Sequence, residues 1–174
     1  MLLSIRNPWI GTEGYNCFGC NPANPIGLKM QFWVDTDTDN LLCIQPLNGH
    51  LQGWTDTLHG GLQASMMDEI CSWMIHYRFS TSGVTSNLNI RYHHPINTNL
   101  PYVIVRVEIT NQRRRVIDLH ATITTPDGTL CSEADAMFFC FPTTKAKEMG
   151  MQPLSTIGNP ISLNEAINKV VYNK

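Results

Sequence analysis

The run His59-Gly60-Gly61-Leu62-Gln63-Ala64-Ser65-Met66-Met67-Asp68-Glu69-Ile70-Cys71-Ser72-Trp73-Met74-Ile75-His76-Tyr77-Arg78-Phe79 decides how the rest of the chain is read. Leu62, Met66, Ile70, Trp73 and Tyr77 recur at spacings of three and four, the repeat of one helix face. The stretch therefore reads as one helix of about five turns and ~30 Å. Ala64, Cys71 and Ile75 make its reverse side small or apolar as well. A second surface, most simply another copy of the chain, is expected to cover that side.

On the N-terminal side, Leu28, Met30, Phe32 and Val34 alternate with Lys29, Gln31, Trp33 and Asp35, the period of a half-buried strand, and Leu41 to Gln45 returns as a second. On the C-terminal side four more strands are expected at Val84 to His94, Tyr102 to Thr110, Val116 to Thr124 and Thr129 to Phe141. Pro95 to Asn99 and Thr125 to Gly128 are short enough to join antiparallel neighbours. Two strands, a long helix and four strands make an α+β fold. The helix lies across a six-stranded antiparallel β-sheet whose strands sit ~4.8 Å apart. This domain spans residues 1–141. Residues 142–174 read as an appendage, opened by Pro142 and holding a capping-box signature, Ser162 with Glu165, ahead of a short helix.

The chain has 174 residues, 43% of them hydrophobic and 15% charged, enough to bury a core without disulfides or a structural metal. A net charge of −2 supplies no global basic field, so nucleic acid is not an expected partner. The first ten residues lack a secretory apolar run, and no stretch approaches the ~20 apolar residues of a membrane span. A cytoplasmic protein with its six cysteines reduced is expected.

The chemistry is concentrated at the start of the long helix. Gly60 and Gly61 leave backbone N–H donors bare at the positive end of the helix dipole, which suits an oxyanion. Nine residues after His59 stands Asp68, with no Lys or Arg at i±3 or i±4 to explain it as an ion pair. Glu69, ~100° around the helix, is the rival carboxylate. Gly60 and Asp68 are separated by ~12 Å of helical rise, so they cannot share one substrate atom within a single copy. Paired antiparallel helices about a two-fold axis would bring Gly60 of one copy to Asp68 of the other.

Cys17-Phe18-Gly19-Cys20 with Asn24-Pro25-Ile26-Gly27-Leu28, the His59-Gly60-Gly61 with Asp68-Glu69, and Val84-Thr85-Ser86-Asn87-Leu88-Asn89-Ile90-Arg91-Tyr92 with Pro95 together resemble hotdog-fold acyl-CoA thioesterases of the phenylacetyl-CoA thioesterase type. The resemblance covers about residues 17 to 141. It implies a hotdog fold, a homodimer with shared active sites and a continuous joint sheet, and often a homotetramer. It implies hydrolysis of an acyl-CoA or aryl-CoA thioester with no cofactor. By position, Asp68 is the general base for water or the nucleophile, Gly60 with Gly61 the oxyanion site, His59 the residue orienting the carbonyl, and Thr85 the hydroxyl that positions water. Many relatives carry Asn six residues before the histidine; here that position is Gly53, with Gln52 or His50 as substitutes. Two other readings stand beside hydrolysis, a non-catalytic acyl-CoA or lipid-binding module and a hotdog hydratase or dehydratase.

Arg113-Arg114-Arg115 is the one dense basic cluster, and Arg114 and Arg115 are the candidates for the phosphates of coenzyme A, ahead of Arg91. Met67, with other apolar residues of the helix, is a candidate for the acyl pocket. Cys17 and Cys20 lack a second pair with zinc spacing, so they read as N-terminal packing and no metal is expected. His93, His94 and His120 read as filler.

Overall fold

The computed structural model of the chain describes residues 1–172. In chain order the elements are β1 (Leu2–Arg6), β2 (Phe32–Asp35), β3 (Asn40–Pro46), a 3-10 turn at Gly49–Leu51, β4 (Gln52–Trp54), β5 (Thr57–Leu58), α1 (Gly60–Phe79), β6 (Gly83–Tyr92), β7 (Tyr102–Arg113), β8 (Val116–Thr124), β9 (Leu130–Cys140), α2 (Thr143–Glu148), β10 (Ser155–Ile161), α3 (Leu163–Ile167) and a π-helical turn at Asn168–Tyr172. Asn173 and Lys174, the end of the segment that follows Pro142, lie outside the described residues.

One antiparallel sheet carries eight strands in the order β10-β1-β2-β3-β7-β8-β9-β6. The six expected strands are its consecutive members from β2 to β6. Two more extend it past β2: β1, which pairs with β2 and β10, and β10 itself. Short strands at the chain ends carry too little periodicity to be read alone. The first expected strand is also shorter than its pattern. Lys29 sits at φ 58°, in the left-handed region, and breaks the extended run. The N–H groups of Leu28 and Met30 bond instead to Phe18 and Gly19 carbonyls, at 2.8 Å each.

Helix α1 is the filling. Met66, Met67, Ile70, Cys71, Trp73, Met74 and Ile75 are buried on it, against inward residues such as Val34, Cys43, Val105, Leu119, Ala134 and Phe138. His59 caps its start and Ser80, in the left-handed conformation, ends it by donating to the His76 carbonyl. Alternation sends Trp33, Leu42, Ile44 and Ile104 to the opposite face, where they meet Ala166 and Ile167 of α3 in a second cluster. Burial on both faces explains why Leu41-Leu42-Cys43-Ile44 and Val103-Ile104-Val105 are unbroken apolar runs. Ser162 and Glu165 form the capping box that starts α3.

The far edge of the sheet is β6. It pairs with β9 alone among the described residues and leaves a ten-residue strand with one open side.

Candidate active site

The start of α1 is built by its own cap. The His59 side chain accepts the Gly61 N–H through Nδ1 at 2.9 Å, and the His59 carbonyl accepts from Leu62 and Gln63. Of the first donors of the helix, these three are spent. Among the described residues the Gly60 N–H has no acceptor, so the single free donor of this terminus is Gly60 rather than Gly61. An Nδ1 that accepts leaves the ring proton on Nε2, so His59 presents a second donor on the exposed side of the turn.

Gly53 is explained by the same cap. A Cβ there would lie 2.7 Å from His59 Cδ2, so the imidazole occupies the room that a side chain at position 53 would need. Gln52 faces Leu58 across the β4–β5 hairpin, and its Oε1 accepts the Asp56 N–H at 3.1 Å. His50 lies in the 3-10 turn before it, where its N–H is bound by the Asn48 side chain.

Asp68 is half-buried two turns further along α1. Its Oδ1 accepts the hydroxyl proton of Thr85, on β6, at 2.6 Å. A β-bulge creates this pairing. Leu88 and Ile90 pair with the buried Ala136 and Ala134, and strict alternation from them would aim Ser86 inward and Thr85 outward. The register slips between Thr85 and Asn87, so Thr85 sits opposite the buried Phe138 and reaches the helix. Met67, next to Asp68, is fully buried in the core.

Two residues that the sequence did not single out border the helix start. Tyr92, at the other end of β6, donates its hydroxyl to the Gly60 carbonyl at 2.9 Å. Gln63 is buried, donates to the Leu58 carbonyl, and has no partner on Oε1 among the described residues. A Tyr at a strand end and a Gln in a first turn carry no distinguishing spacing.

Arg114 and Arg115 form the tip of the β7–β8 hairpin. Arg114 is at φ 57°, and the Arg115 guanidinium lies 4.8 Å over the Phe139 ring. Phe139 faces solvent at 39% exposure while its neighbour Phe138 faces inward at 2%, so Arg115 and Asp68 occupy opposite faces of one sheet end. Arg91, His93 and His120 gather on Glu133 and Asp135 of β9, Arg91 in ion pairs and the two imidazoles within hydrogen-bonding reach of the carboxylates.

The C-x-x-C segment folds against α1 on the flank away from Thr85. Cys17 and Cys20 are thiols with Sγ atoms 3.1 Å apart, and Glu69 Oε1 is 3.5 Å from Cys17 Sγ. The hydrogen bond from Cys20 pulls the Cys17 thiol below its ordinary range and pushes that of Cys20 up. Of the described residues, these three bring metal-ligating atoms together.

Residues 55–132 match the family model described as the thioesterase superfamily. No curated protein sequence matches the chain significantly. Among solved structures, a thioesterase superfamily protein is similar at 22% identity and TM-score 0.64, over 71% of this chain and 62% of that one, somewhat under two thirds of its length. A Bacillus halodurans protein solved with CoA is similar at 21% identity and TM-score 0.59, over 66% and 76%. A phenylacetic acid degradation-related protein of Ralstonia eutropha follows at 19% identity and TM-score 0.57, over 64% and 85%. With its long helix held in one antiparallel sheet, the chain is a hotdog-fold protein whose central segment, residues 55–132, matches the thioesterase superfamily model.

Proposed function

We propose that the chain hydrolyses an acyl-CoA or aryl-CoA thioester to the free acid and CoA, in sites shared between two copies. The observation that carries this reading is the pairing of Asp68 with Thr85 on the open edge strand, set against a single free N–H at Gly60. Asp68 Oδ1 is taken by Thr85, which leaves Oδ2 to receive a proton from water. The Thr85 hydroxyl, its own proton committed, accepts from that water and holds it. As water attacks, charge develops on the thioester oxygen, and the Gly60 N–H at the helix dipole's positive end binds it, with His59 Nε2 beside it. The tetrahedral intermediate then expels the CoA thiolate.

Both parts of the site border β6, Tyr92 at the Gly60 end and Thr85 at the Asp68 end. If two copies join β6 edge to edge, antiparallel, with the two-fold axis between Leu88 and Asn89, Thr85 of one copy stands opposite Tyr92 of the other. That register brings the Gly60 of one copy toward the partner subunit's Asp68. It also pairs a long open edge that would otherwise invite aggregation. The exposed Arg114–Arg115 tip is offered to the CoA phosphates, and the CoA-bound relative from Bacillus halodurans supports a CoA-type ligand on this fold.

Complementation tests the shared site. Gly60→Pro removes the N–H at the first helical position, where proline is tolerated, and His59 at φ −61° and ψ 130° already has the conformation a following proline requires. Two inactive proteins, Asp68→Asn and Gly60→Pro, are unfolded together and refolded as a mixture. Half the dimers are mixed, each with one intact site, so about a quarter of wild-type turnover should return. No recovery from a mixture that refolds to dimers overturns the reading.

A further inference from the structure

We propose that Cys17, Cys20 and Glu69 form a binding site for one divalent ion of the zinc class, which fastens the N-terminal segment to α1. The three ligand atoms lie within 4.8 Å of one another, drawn from a loop and a helix forty-nine residues further along the chain. The site is fitted rather than incidental. A Cβ on Gly19 would fall 2.4 Å from Glu69 Cδ, so only a bare backbone between the two cysteines lets the carboxylate in. Trp73 donates its indole N–H to Glu69 Oε1 at 3.1 Å and holds that oxygen toward the sulfurs. The Cys20 N–H points at Cys17 Sγ at 3.4 Å, a bond that favours thiolate. Asn7 orients the Tyr15 hydroxyl, which lies 3.0 Å from Cys20 Sγ. Among the described residues no Lys or Arg pairs with Glu69.

The distances suit a tetrahedral ion. Metal–sulfur bonds of about 2.3 Å and metal–oxygen bonds of about 2.0 Å place S and O ligands about 3.5 Å apart, and two sulfurs about 3.8 Å apart. The Cys17 Sγ to Glu69 Oε1 separation is 3.5 Å. The sulfurs, now at 3.1 Å, would part by about 0.7 Å, a small side-chain rotation. Three protein ligands leave a fourth position for a solvent oxygen. A cavity of about 370 Å³ bordered by Asn7, Cys20, Met30 and Trp73 supplies an approach.

The test is titration of the reduced, untagged full-length chain with Co²⁺, followed by thiolate-to-cobalt charge-transfer absorption and by metal content after dialysis. One ion per chain, displaced by Zn²⁺, is expected, with proton release and a higher melting temperature. Cys17→Ala and Cys20→Ala should each abolish the charge-transfer band, and Cys43→Ala should keep it. Glu69→Gln and Trp73→Phe should weaken binding about 10–100-fold. Circular dichroism checks that each variant is folded. Substoichiometric Co²⁺ on the reduced wild-type chain overturns the proposal whatever the variants do, as does an unchanged band in folded Cys17→Ala and Cys20→Ala.

Discussion

Asp68 and Glu69 leave α1 about 100° apart and enter flanks that are built differently. Asp68 meets a single hydroxyl, Thr85, on a strand whose outer edge is open. Glu69 is enclosed by the loop of Cys17 to Cys20, by Gly19 backbone and by the Trp73 indole. The first carboxylate has one oxygen without a protein partner among the described residues; the second has its oxygens turned to protein groups. Of two adjacent acidic residues on one helix, surroundings assign one to proposed turnover and the other to holding the N-terminal segment.

Exchanging the acids one at a time is the strongest way to break this contrast. Asp68→Asn should lower kcat for acyl-CoA substrates by about 10²–10⁴-fold, whereas Glu69→Gln should cost less than about tenfold; CoA release measured with a thiol reagent distinguishes them. Equal losses would dissolve the distinction. Gly60→Pro should reduce kcat by about 10²–10³-fold with the melting temperature almost unchanged, because the first helical position tolerates proline. A drop in stability as large as that in rate would assign Gly60 to packing.

Smaller effects separate the flanks by stability. Gly19→Ala drives a methyl into the Glu69 carboxylate and should cost about 1–3 kcal/mol, seen in urea denaturation. Gly53→Asn should not restore the relatives' arrangement here. It pushes the His59 ring off the Gly61 N–H, at about 1 kcal/mol. The smallest effect belongs to the outer face of the sheet. Hydrogen bonds from His93 and then Arg91 hold the Glu133 carboxyl below its ordinary value of 4.5. The stability this lends is complete above that value and is lost as pH falls below it through the folded pKa. The melting temperature of the wild type should therefore fall more steeply below about pH 4.5 than that of Glu133→Gln.

Much of the architecture was legible because periodicity is a local property. The three- and four-residue spacing from Leu62 to Tyr77 marked α1 almost to the residue, and Val116 to Thr124 was delimited as observed. The ends of the sheet were not. β1 is a strand because it pairs with β2 and with β10, and β10 because it pairs with β1 from about 150 residues further along, and a five-residue segment shows no such pairing on its own. Lys29 likewise reads as one term of an alternation, yet its left-handed backbone diverts its neighbours Leu28 and Met30 to the C-x-x-C loop.

At the candidate site, residue type was readable and assembly was not. His59, Gly60 and Gly61 stood out because glycines ahead of a helix expose donors, but whether the Gly60 or the Gly61 N–H stays free depends on a side chain folding back onto the latter. Asp68 drew notice for lacking a cation partner within helical reach. Its bond to Thr85 exists because one extra residue, Ser86, reverses the facing of the strand, and a bulge leaves no mark in the alternation of polar residues. Cys17 and Cys20 stood as one pair of ligand types in the sequence, and only the fold brought a third, Glu69, beside them.

Short-range order and chemical capacity are written in the sequence, since helix period, strand period and donor type depend on neighbours a few residues away. Which oxygen faces which hydroxyl, which sulfur meets which carboxylate and which strand edge stays open were decided by tertiary structure alone. Those relations join residues far apart in the chain, and only the packing of α1 against the sheet and the N-terminal loop brings them within a hydrogen bond of one another.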